Sequence, residues 1–312
     1  MSIFLAIIVP CYNEEAVLPE TARRLLGLLG RLKLAQLITD ESHVCFVDDG
    51  SFDATWTLIE QLAAADRRVH GVKLSRNCGH QNALLAGLFS ADGQAFVSID
   101  ADLQDDVDVI EKMVREHIAG ADIVYGVRAS RRSDTVMKRL TAEGYYRLLE
   151  TMGVEVIFNH ADYRLLSRRA LEALGSFGEV NMFLRGIIPL LGFRTAIVEY
   201  ARHERFAGRS KYPLRRMLGL AVDGITSFSV APLRMIAGLG LLICCFSILM
   251  IVWIVLGKLL TNSVIPGWAS SVVPIYFIGG VQLLGMGVLG EYVAKIYLET
   301  KRRPRYILEK TI

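Results

Sequence analysis

Four short apolar runs punctuate the first 200 residues: Ile3–Val9, Val44–Val47, Ala95–Ile99 and Ile123–Tyr125. Each is continuous rather than alternating, which predicts strands covered on both faces. Between them Ala16–Leu32, Asp53–Ala65 and Val107–Ala119 carry apolar residues at helical spacing. Strand and helix in turn predict an α/β fold, a mostly parallel sheet with helices on both faces.

The texture changes near residue 130. Asp134–Met152 sets Met137, Leu140, Gly144, Tyr145, Leu148 and Met152 on one helical face, flanked by Arg131, Arg132, Lys138, Arg139 and Arg147. Such a basic amphipathic helix suits a membrane surface and an ordinary core-facing position equally. Pro213–Val230 repeats the pattern, and there a helix lying on the membrane is expected. From Met235 to Gly257 no residue is charged, and Lys258 alone interrupts before a second uncharged run from Leu259 to Gly290. A helix over the first run would be about 34 Å long, against about 30 Å of bilayer hydrocarbon. The expected organisation is a globular domain at 1–212, a juxtamembrane amphipathic helix at 213–233, a transmembrane hairpin at 234–290 with spans near 235–257 and 270–290, and a basic tail at 291–312.

Composition agrees. The chain is 52% hydrophobic and 21% charged, which excludes a disordered chain and is too apolar for an ordinary soluble enzyme. The net charge of +3 gives no reason to expect nucleic acid. Its placement is more informative: Arg202, Arg205, Arg209, Lys211, Arg215, Arg216 and Arg234 crowd the approach to the first apolar run, and Lys301, Arg302, Arg303 and Arg305 follow the second. The positive-inside rule then puts the globular domain and both termini in the cytoplasm. The opening MSIFLAIIVP lacks a basic n-region and reads as no signal peptide. Five cysteines without a C-x-x-C pair argue against a disulfide framework or zinc site and suit a reducing compartment.

Ligands of open α/β sheets bind at the carboxyl ends of the strands. Here the first run is followed by Pro10-Cys11-Tyr12-Asn13-Glu14, the second by Asp48-Asp49-Gly50-Ser51, and the third by Asp100-Ala101-Asp102-Leu103-Gln104-Asp105. Carboxylates converging on one rim repel one another, so a cation or a set of sugar hydroxyls is expected among them. Two aspartates two apart on an extended chain face the same side, and a hard divalent cation takes one or two carboxylates together with substrate phosphates. Asp100 and Asp102 therefore suit a metal bridging a nucleotide diphosphate. No G-x-G-x-x-G follows the first strand, which argues against a dinucleotide-binding dehydrogenase. The one match, Gly285 to Gly290, falls in the second apolar run, where close helix packing accounts for it.

The segments IVPCYNEE, VDDGSFDAT, LSRNCGHQNALLAGL, SIDADLQD, VYGVRASRRSDTVMKR, ADYRLLSRRAL, FLRGI, RFAGRSKY and LGEYVAKIYLETKRRPRY stand in this order. Together they resemble the family 2, GT-A-fold glycosyltransferases that load a sugar onto a polyprenyl phosphate, most nearly the bactoprenol glucosyltransferases and more distantly the dolichol-phosphate mannose synthases. The resemblance implies nucleobase and ribose contacts from Pro10, Tyr12, Glu14 and Asp48, with Asp49 beside them. It implies a metal site at Asp100 and Asp102 with Gln104 adjacent, and a nucleotide loop at Arg76, Asn77, Gly79 and His80. By the same likeness Arg128, Arg131 and Lys138 meet the acceptor phosphate, and Arg205, Ser210 and Lys211 close on the diphosphate. Asp162 matches an acidic position near the catalytic centre, where it orients the acceptor or its arginine partners, or else forms a structural salt bridge with Arg164 or Arg168. Cys78 stands where an aromatic is usual, Cys11 where a small aliphatic is usual, and Lys33–His43 is longer than usual.

The implied reaction is inverting transfer of a hexose, glucose from UDP-glucose, to undecaprenyl phosphate at the cytoplasmic face of a bacterial inner membrane, assisted by Mg²⁺ or Mn²⁺. The implied partners are membrane lipids, further copies of the chain (a tetramer is one form) and a lipid-sugar flippase. Two rival classes are a processive polysaccharide synthase and a non-catalytic membrane scaffold. The first is disfavoured because none of Trp56, Trp253 and Trp268 follows an arginine as Q-x-x-R-W requires. The second is disfavoured because a scaffold has no use for an acidic rim.

Overall fold

The computed structural model describes residues 2–128, 160–179, 184–200 and 267–312, with scattered helical positions between 233 and 256. Apolar runs buried on both faces start the sheet: β1 (Leu5–Cys11), β2 (His43–Asp48) and β4 (Ala95–Ser98) are buried at every position. β3 (Val69–Leu74), β5 (Ile123–Arg128), β6 (His160–Ser167), β7 (Thr195–Tyr200) and β8 (Leu308–Thr311) complete an eight-stranded sheet in the order β7-β5-β6-β4-β1-β2-β3-β8. The pairs β1–β2, β1–β4, β2–β3 and β5–β7 are parallel. β6 runs antiparallel to both its neighbours, and β8 runs antiparallel to β3.

Helices cover both faces. α1 (Leu18–Leu34), α2 (Thr55–Ala65) and α4 (Val109–Ile118) share one core with Leu5, Ile7, Val9 and Phe46. α3 (His80–Ser90) lies on the opposite face so closely that a Cβ at Gly87 would come within 2.4 Å of Ile8 Cγ2 and 2.6 Å of Val47 Cγ2. α5 (Arg168–Gly175), capped by the Ser167 hydroxyl accepting from the Ala170 amide, follows β6 directly, and α6 (Leu184–Leu190) precedes β7.

The described residues form two compact units, the sheet unit, which residues 303–312 join, and a helical unit. The latter contains α7 (Trp268–Lys301), about 51 Å long at 1.5 Å per residue. Within α7 the stretch Phe277–Lys301 is the one helix among the described residues long and apolar enough to cross a membrane. Its Phe277, Leu283, Met286, Leu289, Val293 and Ile296 are exposed. Gly285 is buried, and a Cβ there would lie 3.3 Å from Ile236 Cγ2, so this glycine serves helix contact as the sequence suggests.

The C-terminal segment carries more regular structure than the sequence pattern suggests. The helix does not stop near residue 290 but runs to Lys301, because Glu291, Lys295 and Glu299 stand four apart and favour continued helix. The tail after it is no separate appendage. β8 pairs with β3, Ser75 N donates to the Ile307 carbonyl at 3.0 Å, and Gly71 and Ile312 exchange both backbone bonds. The amphipathic segments expected at 134–152 and 213–230 lie outside the described residues, as does most of the first expected span.

Candidate active site

The carboxyl ends of β1, β2 and β4 are laced together by hydrogen bonds. After β1, Asn13 takes a positive φ of 55°, a conformation its short polar side chain tolerates. Its amide donates to Ser51 Oγ at 2.9 Å, and its Oδ1 accepts from Phe52 N at 2.9 Å. The Glu14 amide donates to Thr55 Oγ1 at 2.9 Å. Pro10 is buried in β1, whereas Tyr12 is 41% exposed.

The adjacent aspartates after β2 do different work. Asp48 is fully buried; its Oδ1 accepts from Ser51 N at 3.1 Å, while its Oδ2 has no partner among the described residues. A buried acceptor of this kind is rare and is expected to meet a donor. Both oxygens of Asp49 are committed to the loop after β3: Oδ1 accepts from Cys78 N at 2.7 Å and Oδ2 from Gly79 N at 2.9 Å. Burial raises the pKa of both aspartates, and these amide bonds oppose the rise at Asp49. The loop sits hard against Gly50, where φ is +67° and a Cβ would lie 2.6 Å from both the Arg76 carbonyl carbon and the Asn77 nitrogen. Arg76 and Asn77 are exposed on this loop, and Arg76 Nη1 donates to the Asn77 carbonyl at 3.4 Å.

Past β4, Asp102 Oδ1 accepts from Gln104 N at 3.2 Å, in a turn where Leu103 has a φ of 56°. Asp105, 3% exposed, accepts from Tyr200 Oη at 2.6 Å. His80, the first residue of α3, places Nε2 3.5 Å from Asp100 Oδ1 and 3.7 Å from Asp162 Oδ2. The Asp100 carboxyl is pushed up to about 6, by desolvation first and then by the Asp162, Asp105 and Asp102 carboxylates, with His80 opposing.

Asp162 reaches this rim because β6 is antiparallel: the start of β6 lies beside the end of β4, with Arg164 in register with Ser98. Ser98 Oγ donates to the Asp162 carbonyl at 2.5 Å. Arg164 Nη2 donates to Asp162 Oδ1 at 2.6 Å, and Arg185 from α6 spans both oxygens, with Nε 3.2 Å from Oδ1 and Nη2 3.1 Å from Oδ2. Burial works against ionisation of Asp162, but the two guanidiniums hold its carboxyl well below the usual range. Of the two salt-bridge partners expected for Asp162, Arg164 is present; Arg168 instead faces Asp92 at 3.8 Å. Arg185 was not singled out by the sequence reading, although it stands within the quoted FLRGI.

Among the described residues no three His, Cys, Asp or Glu side chains form a metal cage. The oxygen donors at Asp100 and Asp102 nevertheless fit a hard cation that completes its shell with substrate phosphate oxygens. Arg128 ends β5 in register with Tyr200, on the same rim. Arg131, Lys138, Arg205, Ser210 and Lys211 lie outside the described residues.

Two solved structures share the fold. A mannosyltransferase from Pyrobaculum calidifontis, solved with GDP-Man and Mn²⁺, matches 73% of this chain and 64% of its own at 20% identity and a TM-score of 0.51. Mannosyl-3-phosphoglycerate synthase from Rubrobacter xylanophilus matches 72% and 73% at 17% identity and a TM-score of 0.50. The sheet is thus of the expected GT-A type. Among sequences, the glycosyltransferase YkoT of Bacillus subtilis (strain 168) is 48% identical over 98% of this chain and 91% of its own. A prophage-derived bactoprenol glucosyl transferase of Shigella flexneri is 40% identical over 98% of both chains. The model for "Glycosyl transferase family 2" matches residues 6–175. With its acidic rim at the strand ends and relatives that match it from end to end, the chain belongs to glycosyl transferase family 2.

Proposed function

We propose that the protein transfers a hexose, glucose from UDP-glucose, to a polyprenyl phosphate at the cytoplasmic face of a bacterial membrane, with inversion at the anomeric carbon. The observation that carries the lipid acceptor is the likeness to the bactoprenol glucosyl transferase, which covers 98% of both chains and so extends over the apolar C-terminal third as well as the sheet.

The rim supports the chemistry. Asp48 Oδ2, buried and without a partner among the described residues, is an acceptor suited to a nucleobase N–H or ribose hydroxyl. Asp49 fixes the loop Arg76–His80 on which the donor would rest. Asp100 and Asp102, with Gln104 adjacent, would hold a divalent cation, Mg²⁺ or Mn²⁺; bound, it supplies charge neutralisation for the departing diphosphate. A phosphate monoester has a second pKa of about 6, so the acceptor is largely ionised at pH 7 and attacks without a strong base. It needs positioning beside another anion, a task for guanidinium groups. Arg128, Arg131 and Lys138 would serve the acceptor, and Arg205, Ser210 and Lys211 the diphosphate. A hairpin of two spans, with basic flanks attracting anionic headgroups, would keep this site at the bilayer that holds the lipid tail. Self-assembly and hand-over of the product to a flippase complete the proposal.

The test is to incubate the detergent-purified protein with undecaprenyl phosphate, Mn²⁺ or Mg²⁺ and a panel of labelled nucleotide sugars. Label entering the lipid phase from one donor, abolished by EDTA, is the expected result. Binding of a metal–nucleotide complex with no transfer to lipid from any donor would overturn the acceptor assignment. Absence of nucleotide binding would bring forward the scaffold.

A further inference from the structure

The turn after β4 is pinned from behind by three other elements. Exposure alternates along it: Asp100, Asp102, Gln104 and Asp106 are half-exposed, whereas Ala101, Leu103 and Asp105 are buried. Ala101 and Leu103 belong to the hydrophobic core. Leu103 holds a left-handed φ of 56°, a conformation that persists only where the surroundings over-determine it. Here they do. Thr21 Oγ1 of α1 donates to the Ala101 carbonyl at 2.8 Å, Tyr163 Oη of β6 donates to the Asp106 carbonyl at 2.9 Å, and Tyr200 Oη at the end of β7 donates to Asp105 Oδ1 at 2.6 Å. The Tyr163 and Tyr200 rings meet edge to face with centroids 5.4 Å apart.

Two of these anchors grip backbone carbonyls, which any sequence offers. The third grips a side chain, and that side chain is a carboxylate. Asp105 and Tyr200 are both buried, and burying a carboxylate costs more than burying an apolar residue of similar size. Packing alone therefore gives no reason for an aspartate at this position. Its neighbours give one. Asp105 directly follows Gln104 and stands three residues after Asp102, whose Oδ1 closes the same turn by accepting from Gln104 N at 3.2 Å. Holding Asp105 inward fixes the alternation that turns Asp102 and Gln104 outward. Groups that orient metal ligands from behind bear on metal affinity nearly as much as the ligands do. We propose that Asp105 and Tyr200 are positioning residues for the divalent-cation site. Their bond, made on the buried side of the turn, sets the direction in which Asp102 and Gln104 present oxygen on the other side. The same bond turns Asp105 itself away from the cation. The proposal rests on the reading that Asp100 and Asp102 hold a divalent cation, and its test separates the two.

Tyr200→Phe deletes one oxygen and keeps the ring beside Tyr163, whereas Asp105→Asn keeps an acceptor oxygen for the phenol. Both are compared with the wild type in full-length, detergent-purified form. Mn²⁺ affinity at fixed UDP is measured by electron paramagnetic resonance of the free ion, and the order of the turn by hydrogen exchange across residues 101–106. Turnover is measured against varied Mn²⁺. Loss of a hydrogen bond to a charged group predicts Mn²⁺ binding about tenfold weaker in Tyr200→Phe. The Mn²⁺ concentration for half-maximal turnover rises by the same factor, and saturating Mn²⁺ restores kcat to within about threefold. Exchange in the turn is faster, and Asp105→Asn loses only about threefold in affinity. A lower melting temperature with Mn²⁺ affinity within about twofold of wild type overturns the proposal, because the pair would then serve packing alone. Weaker Mn²⁺ binding with exchange unchanged also overturns it, because the effect would not pass through the turn. If the wild type binds no Mn²⁺ beside UDP, the cation reading fails by itself; faster exchange in Tyr200→Phe then still supports the hold of the pair on the turn, and unchanged exchange refutes it. Should Tyr200→Phe not fold, Asp105→Asn carries the same comparison.

Discussion

Replacing Asp49 by alanine removes the two bonds that tie the β3 loop to the end of β2, at 2.7 Å to the Cys78 amide and 2.9 Å to the Gly79 amide. A hydrogen bond to a charged group contributes about 1.5–3 kcal/mol. Both amides are only half-buried, so water recovers part of this, and about 3 kcal/mol for the pair is a fair total. Asparagine keeps one acceptor oxygen and loses about half. If the loop must hold its present shape for the donor to bind, the cost passes to affinity at about 1.4 kcal/mol per decade. UDP with Mn²⁺ is then expected to bind about a hundredfold more weakly in Asp49→Ala and about tenfold more weakly in Asp49→Asn. Calorimetry measures the affinities, and hydrogen exchange reports whether the Cys78 and Gly79 amides lose protection. Lost protection with an affinity within twofold of wild type would refute the reasoning, because the loop would then be ordered by Asp49 yet irrelevant to the donor. Protection retained in Asp49→Ala would show that the loop does not depend on these bonds.

Gly50→Ala forces a side chain into a left-handed conformation and into backbone 2.6 Å away; a loss of about 2–4 kcal/mol is expected, shared between thermal stability and UDP affinity, and measured by melting with and without UDP and Mn²⁺. Asp122 accepts from Ser167 Oγ at 3.0 Å and pairs with Arg169, and the Arg169 bond is the main cause of its lowered pKa. A depressed carboxylate stabilises the fold above its unfolded pKa of about 3.9 and loses that contribution as pH falls through the lower folded value. The stability gap between wild type and Asp122→Asn should therefore be constant above about pH 5 and close below about pH 4 in denaturation curves run across that range. Deleting residues 303–312 removes the β3–β8 ladder as well as the bonds from Ser75 to Ile307 and between Gly71 and Ile312; at about 0.5–1.5 kcal/mol per bond, the latter three alone set a loss of at least about 1.5–4.5 kcal/mol, together with faster aggregation of the exposed β3 edge in light scattering.

Burial decided which elements could be read from the chain. β1, β2, β4 and β5 announce themselves because strands covered on both faces are apolar through most of their length, with the polar exceptions His43, Asp48, Ser98 and Arg128 at their ends. Their boundaries shift by one to three residues, since pairs such as Cys11 with Asp48 form through backbone, which no side-chain pattern reports. β3 is obscured because His70 is exposed and Lys73 half-exposed near the sheet's edge. β6 is obscured because its centre holds Arg164, a buried charge whose counter-ion sits two residues away on the same strand. β8 is exposed at all four positions and joins by backbone bonds, so its sequence carries no apolar signal. At the site, the acidic clusters at three strand ends could be read from sheet logic alone. The division of labour between Asp48 and Asp49 could not, because it depends on which amides of a distant loop lie within reach. Arg185 stands 23 residues from Asp162, a separation that no helix or strand period connects.

β8 places a parity condition on the membrane topology. β7 ends at Tyr200, β8 begins at Leu308, both belong to one hydrogen-bonded sheet, and α7 lies between them in the chain. A sheet occupies one side of a bilayer, so the chain between those residues crosses it an even number of times. A lone crossing by α7 would leave β8 on the wrong side of the membrane. If α7 crosses, an odd number of further crossings must lie in the rest of that interval. The last strand thereby acts as a checksum on insertion: a chain that went out and did not come back could not complete its own sheet.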